Sequence, residues 1–320
     1  MAAGNRIQTL SIVAGTMACN AACPDCVSQM TTNDEFSRYL NYTGVDWESL
    51  DIAANIAISG GANTVLFTGK GEPTLYPKQI NDYLEYLSDQ KYFPLAVMEI
   101  QTNALLFQQD NYCGDDGWLR KWYKKKLRVI SISIVGVSDE ENRAFFVPER
   151  DTYPSLTKTI KILHEIGYTV RLNVTMMKPY VNNIEKIDKV VKFCQTNKVE
   201  QLSVRPVRRP KVLNSSGERA KKVFEWVGEN ELTMQQEKEI AEYFRSCKEA
   251  RLLRNLVHGA KVYDYKGQNL CLTDCLTSAV DNEDEVRQLI FYSGGLIAYD
   301  WSSPAANILG WGPAARRFMA

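Results

Sequence analysis

The chain is poor in histidine. Only two occur in 320 residues, His164 and His258, which leaves no room for a multi-histidine metal centre. No Gly-x-Ser-x-Gly turn is present, so a Ser-His-Asp hydrolase built on that elbow is excluded as well. No apolar run is long enough to span a bilayer. The opening Met-Ala-Ala-Gly-Asn-Arg lacks the apolar centre of a signal peptide. Net charge is also missing: 38 basic residues balance 38 acidic ones, so any attraction to nucleic acid or to a membrane must be local. Internal repeats and low-complexity segments are absent. Together these absences predict a cytoplasmic protein without a membrane partner. Its length suits one large domain, or a catalytic core with an appendage.

Cysteine, by contrast, is present eight times, and three of the eight stand in one short run, Cys-Asn-Ala-Ala-Cys-Pro-Asp-Cys, at Cys19, Cys23 and Cys26. In a secreted chain eight cysteines would suggest disulfides. Clustering of three on one loop, with the others scattered, fits a metal site in a reducing compartment better. Three thiolates at CxxxCxxC spacing can hold three irons of a cubane [4Fe–4S] cluster and leave the fourth iron open. An open iron can bind a small molecule and pass it an electron. Structural zinc would need a fourth ligand, and no nearby histidine offers one.

Apolar, β-rich runs recur along the first two thirds: Ile7–Val13, Thr64–Thr68, Ala96–Gln101, Val129–Val135, Thr169–Val174 and Gln201–Val204. Helical stripes alternate with them. Trp47–Ser59 opens after an N-cap at Asp46 and stops at Gly60-Gly61. Ile80, Tyr83, Leu84 and Leu87 form a second stripe, Leu156, Ile160 and Leu163 a third, and Ile184, Ile187, Val191 and Cys194 a fourth. This order predicts an α/β fold, a parallel sheet curved into a partial (βα)6 TIM-like barrel over residues 1–210. Chemistry in such folds gathers at the C-terminal ends of the strands, and the cysteine loop directly follows the first strand. Residues 211–320 lose the alternation and read as a C-terminal α+β extension or cap. It contains a helix over Met234–Arg251 and a hairpin over Leu289–Trp301 that turns at Gly294-Gly295.

One βα unit after the cysteines comes Phe67-Thr-Gly-Lys-Gly-Glu-Pro-Thr74. Its glycines let backbone approach a ligand closely, and Glu72 can accept hydrogen bonds from a cation. Set beside CxxxCxxC, this segment resembles the one that binds the methionine amino group in the radical S-adenosylmethionine (SAM) superfamily. The strand ends Gln101-Thr102-Asn103, Ser131-Ile-Ser133 and Asn173 resemble it too, most nearly its MoaA-like members. The resemblance covers roughly residues 6–210. It implies cluster ligation by Cys19, Cys23 and Cys26. It also implies contacts to SAM from Gly69, Gly71, Glu72, Pro73, Thr102, Asn103, Ser133 and Asn173. The implied chemistry is one-electron cleavage of SAM to methionine and a 5′-deoxyadenosyl radical, which takes a hydrogen atom from a substrate. An electron donor such as flavodoxin or ferredoxin is the implied partner.

Asp25 departs from the superfamily, where the residue before the third cysteine is usually aromatic or aliphatic and packs near the adenine. A carboxylate there should make the cluster harder to reduce. In the C-terminal part, Cys271 and Cys275 could give two ligands to an auxiliary cluster, but no later cysteine completes the set. Two basic stretches remain. Trp118–Arg128 reads as an amphipathic surface helix burying Trp122. The other, Arg205 to Lys211, follows the sixth strand, where Arg205 or Arg208 could pair with a phosphate or carboxylate. That placement leans the substrate toward a nucleotide, nucleoside or modified nucleic-acid base. A peptide is the alternative, and a non-enzymatic Fe–S sensor the reading from another class.

Overall fold

The computed structural model describes residues 6–31, 34–40, 44–211, 213, 215, 217–256, 259–273, 285–301 and 303–309. Six strands alternate with helices as the pattern predicts: β1 Arg6–Val13, β2 Thr64–Thr68, β3 Val97–Thr102, β4 Leu127–Ile134, β5 Thr169–Met176 and β6 Gln201–Pro206. They pair in parallel and in sequence order. The sheet stays open, as a partial barrel does.

Each strand alternates between two environments. Ile12, Val65, Phe67, Ile100, Ile130, Ile132, Leu172, Val174, Leu202 and Val204 are all buried in the main apolar core together with the helix stripes. Burying one such side chain contributes roughly 1.5–3 kcal/mol. The intervening positions are polar: Ser11, Glu99, Ser131, Asn173 and Ser203 are buried and line the other face. There Arg171 donates to both carboxylate oxygens of Glu99 at 2.6 Å. The helices begin and end on local signals. Asp46 caps Trp47–Ser59 by accepting the Ser49 N–H at 3.0 Å. Leu156–Ile166 ends at Gly167, whose φ of 108° suits glycine. Trp118–Lys124 is a short helix burying Leu119 and Trp122, as its amphipathic pattern predicts.

Beyond residue 210, three antiparallel strands, β7 Ala250–Asn255, β8 Lys261–Tyr265 and β9 Gln268–Leu272, add to the far edge of β6. β10 Glu285–Tyr292 lies parallel to β1, and β11 Ile297–Ala298 and β12 Asn307–Leu309 follow outside it. The resulting sheet runs β12-β11-β10-β1-β2-β3-β4-β5-β6-β9-β8-β7. The hairpin at Gly294-Gly295 forms where expected, with Gly295 at φ 93°.

Two helix boundaries differ from the sequence reading. The helix expected over Trp118–Arg128 stops at Lys124, because Leu127 and Arg128 already belong to β4, which pairs with β3. The helix expected over Met234–Arg251 stops at Ser246, because Ala250 onward pairs with β8 instead. Hydrogen bonds to a neighbouring strand outweigh the helical preference of Glu-Ala-Arg-Leu-Leu. No described helix is long and apolar enough to cross a membrane.

Candidate active site

The loop from Ala14 to Cys26 leaves the C-terminal end of β1. Its backbone is tied down at several points. Ala14 N–H bonds to Thr68 at 2.8 Å and Ala22 N–H to the Phe146 carbonyl at 2.7 Å. Gly15 N–H bonds to the Gln79 amide oxygen at 2.7 Å. Cys19 is exposed, while Cys23 and Cys26 are half-buried. All three are free thiols. The Ala21 N–H points at the Cys19 sulfur at 3.4 Å.

Among the described residues, no three His, Cys, Asp or Glu side chains gather tightly enough to hold one metal ion. The cysteines are held on one loop without converging on a point. Burial pushes all three thiols above their ordinary range, and Asp25 adds to this at Cys23 and Cys26.

The Gly-Lys-Gly-Glu turn after β2 presses onto this loop. Glu72 N–H bonds to the Ala18 carbonyl at 3.0 Å. A Cβ on Gly71 would stand 2.0 Å from that same oxygen. Pro73 opens a one-turn 3-10 helix, Pro73–Leu75, capped by Glu72.

The Glu72 carboxylate is buried. One oxygen accepts Thr74 N–H at 3.0 Å, the Thr74 hydroxyl at 2.6 Å and the Thr102 hydroxyl at 2.6 Å. The other accepts Asn103 N–H at 3.0 Å. Burial raises the Glu72 pKa, while these donors work against the rise. Neutral donors from the 3-10 turn after β2 and from the end of β3 therefore engage both Glu72 oxygens. Asn103 completes the junction by donating from its side chain to Asn20, between the first two cysteines, at 2.7 Å.

Cys19, Cys23 and Cys26, the turn Gly69–Pro73, Thr102 and Asn103 thus form one connected site. Ser133 and Asn173 stand in register on β4 and β5, next to Ser203 on β6. Asn173 donates to Ser131 at 2.6 Å, on the polar face beneath the loops. Arg205 is at the end of β6, and its Nε is buried without a partner among the described residues. Arg208 is directed elsewhere: it grips Glu237 with two bonds of 2.7 and 2.6 Å. Arg209 likewise pairs with Glu231 at 3.0 Å. Cys271 faces Ser203 across the β6–β9 pair; Cys275 lies outside the described residues.

The sequence reading missed three residues of this site. Asn20 bridges to β3, and its own Nδ2 is buried without an acceptor among the described residues. Lys70 is 4% exposed, although its setting between two glycines in a turn could have flagged it. Arg219 opens the helix Glu218–Asn230 and brings positive charge to Cys19 and Cys26; no motif marks it. Two orphaned donors and a backbone cradle that only glycine fits beside three thiols are the features expected where an anionic cluster and its ligand bind.

Asp25 is half-buried as a residue, but its carboxyl is enclosed. Burial raises its pKa from 3.8 to about 6, against a smaller pull from Arg205. The protonated form is therefore favoured in the fold, and the associated stability is present below pH 3.8 and lost as pH rises through about 6. Asp25→Asn should make the metal-free protein more stable than wild type by about 3 kcal/mol above pH 6, with the gap closing as pH falls toward 4. Urea denaturation of both proteins across this range checks it. A gap that does not change with pH would sink the account.

Residues 13–194, more than half of the chain, match the family described as the Radical SAM superfamily. No curated protein matches the sequence. Among solved structures, the fold is similar to that of Streptococcus suis SuiB bound to S-adenosylmethionine, with a TM-score of 0.53 at 18% identity over 91% of this chain and 58% of that one. It is also similar to SuiB bound to precursor peptide SuiA, with a TM-score of 0.52 at 17% identity over 91% of this chain and 59% of that one. The chain spans less than two thirds of the length of SuiB.

Proposed function

The chain belongs to the radical SAM superfamily, and from that premise we propose that Cys19, Cys23 and Cys26 hold its [4Fe–4S] cluster while the turn Gly69–Pro73 binds SAM. The observation that carries this is the contact between turn and cysteine loop, where Gly71 admits the Ala18 carbonyl and Glu72 N–H bonds to it. Held by these residues, the cluster and SAM would supply one-electron chemistry that produces a 5′-deoxyadenosyl radical able to take a hydrogen atom from a substrate.

The residues of the chain position and shield. Glu72, locked by Thr74, Thr102 and Asn103, fixes the turn against β3. Asn20 and Arg205 offer buried donors to an anion. The polar layer of Ser133 and Asn173 lines the approach from the sheet. We read the subfamily as MoaA-like on the strand-end residues, residues 1–210 as the catalytic core, and an external flavodoxin or ferredoxin as the electron source.

For the substrate, a nucleotide, nucleoside or modified base remains our first reading, and Arg205 carries it. Arg208 no longer supports it, being paired with Glu237. A peptide is the second reading, favoured by the fold shared with SuiB, one structure of which is bound to precursor peptide SuiA.

Anaerobic reconstitution with iron and sulfide, reduction by dithionite and addition of SAM should yield 5′-deoxyadenosine, detected by mass spectrometry. In the Cys19→Ala, Cys23→Ala, Cys26→Ala triple variant, iron binding and product should both fall to background. Retention of a full cluster in that variant would remove the ligand assignment. Stimulation by nucleotides and not by peptides, or the reverse, decides the substrate class.

A further inference from the structure

Lys70 is a cation in an enclosed place. Among the described residues its ammonium makes one long hydrogen bond, to the Thr31 hydroxyl at 3.5 Å, and lies 5.0 Å from the ring centre of Trp301. An ammonium has three donors, and a buried charge is retained where a counter-charge compensates it. The compensation is local. Thr31 ends the helix Val27–Thr31, which starts directly after Cys26. At a rise of about 1.5 Å per residue this places it roughly one and a half turns from that thiol. The other side of the same turn is anchored at Ala18 through Gly71 and Glu72, so Lys70 stands between two anchors of the cysteine segment, Ala18 before Cys23 and Thr31 after Cys26. Its largest attraction is to Cys26, followed by Asp300; burial alone lowers its pKa, to about 8.

Resting on the cluster assignment above, we propose that Lys70 is a positioning charge for the cluster: its buried ammonium, held at Thr31 on the helix that follows Cys26, stabilises the extra electron of the reduced state and offsets the opposing field of Asp25. The step is a one-electron transfer from an external low-potential reductant with no bond made or broken, so only the charge of the site changes. Net charge and hydrogen bonding near the sulfurs are among the levers that set such potentials. A unit charge close by in a partly buried setting moves a one-electron equilibrium by an order of magnitude. Arg219 also acts on Cys26 but is solvent-exposed, where water and salt screen it.

The test is a redox titration of the reconstituted protein followed by electron paramagnetic resonance, comparing wild type with Lys70→Met, Lys70→Arg and Arg219→Gln. In Lys70→Met the ratio of reduced to oxidised cluster at a fixed potential should fall about tenfold, a midpoint about 59 mV more negative for a one-electron couple. Arg219→Gln should move it far less. An unchanged ratio in Lys70→Met overturns the inference. If Lys70→Met holds no cluster, a cluster at the wild-type midpoint in Lys70→Arg supports the charge role. Loss of the cluster in both assigns Lys70 to packing and overturns it. Failure of the wild type itself to assemble a cluster, or its persistence in the triple cysteine variant, is a separate result that falls on the ligand assignment.

Discussion

Gly71→Ala is expected to reduce SAM cleavage by about a hundredfold or more, with one methyl group added and no charge changed. The new Cβ would lie 2.0 Å from the Ala18 carbonyl oxygen and 2.7 Å from that of Thr16. Both are backbone atoms of the cysteine loop, so no side chain can swing away. Ordinary van der Waals contact begins at 3.4 Å, and the two loops must therefore part by about 1 Å or more. Displacement on that scale in a site built for positioning costs about two orders of magnitude in rate. Overpacking should also lower stability by roughly 1–3 kcal/mol. The comparison is 5′-deoxyadenosine formation and thermal melting beside Gly217→Ala, where the nearest atom is Ser215 Oγ at 3.6 Å and the change should be silent. Wild-type turnover in Gly71→Ala would mean that the contact between the loops is not part of the active arrangement.

Glu72→Gln is the second change with a large expected effect, because the amide cannot satisfy the donors that meet the carboxylate. Thr74 N–H bonds to one oxygen and Asn103 N–H to the other. Hydroxyls of Thr74 and Thr102 can rotate to accept from an NH2 group, whereas backbone N–H groups cannot. Whichever way the glutamine amide is turned, one of the two backbone donors faces another donor. A buried donor left unmatched costs about 1–3 kcal/mol, and the damage falls at the junction of the turn with β3. Chemical denaturation should show that loss, and isothermal titration should show SAM binding weakened by about tenfold. If Glu72→Gln binds SAM as wild type does and is as stable, the carboxylate is not what fixes this junction.

Much of the fold is legible in the chain because its core strands carry their own signal. The runs at Ile7–Val13, Thr64–Thr68 and Thr169–Val174 are bounded by turn residues, and each is found as a strand within a residue or two. The cysteine loop and the Gly-Glu-Pro turn are legible for the same reason, since both are local patterns at strand ends. What sequence did not disclose is set by contacts between distant segments. Ala250–Asn255 becomes a strand only because β8 is there to pair with it. Thr102 and Asn103, about thirty positions from Glu72, become its hydrogen-bond donors only because β3 pairs beside β2. Arg208 looks available until Glu237 arrives from a later helix. The burial of Lys70 carries no signal in the sequence, and only the packing of distant segments around it encloses its side chain.

The flanks of the sheet have a consequence for biosynthesis. β1 is synthesised long before β10, one of its two neighbours, to which it is joined through pairs such as Arg6 with Glu285 and Val13 with Tyr292. β6 likewise waits for β9. During synthesis both outer strands of the six-strand sheet therefore present bare hydrogen-bonding edges, which are templates for pairing with other chains. Closing the β1 edge joins residues as far apart as Arg6 and Glu285, and such non-local pairing is slow. The nascent chain is thus most exposed to aggregation in the interval after β6 emerges and before β10 docks, and a chaperone that shields strand edges should matter most then.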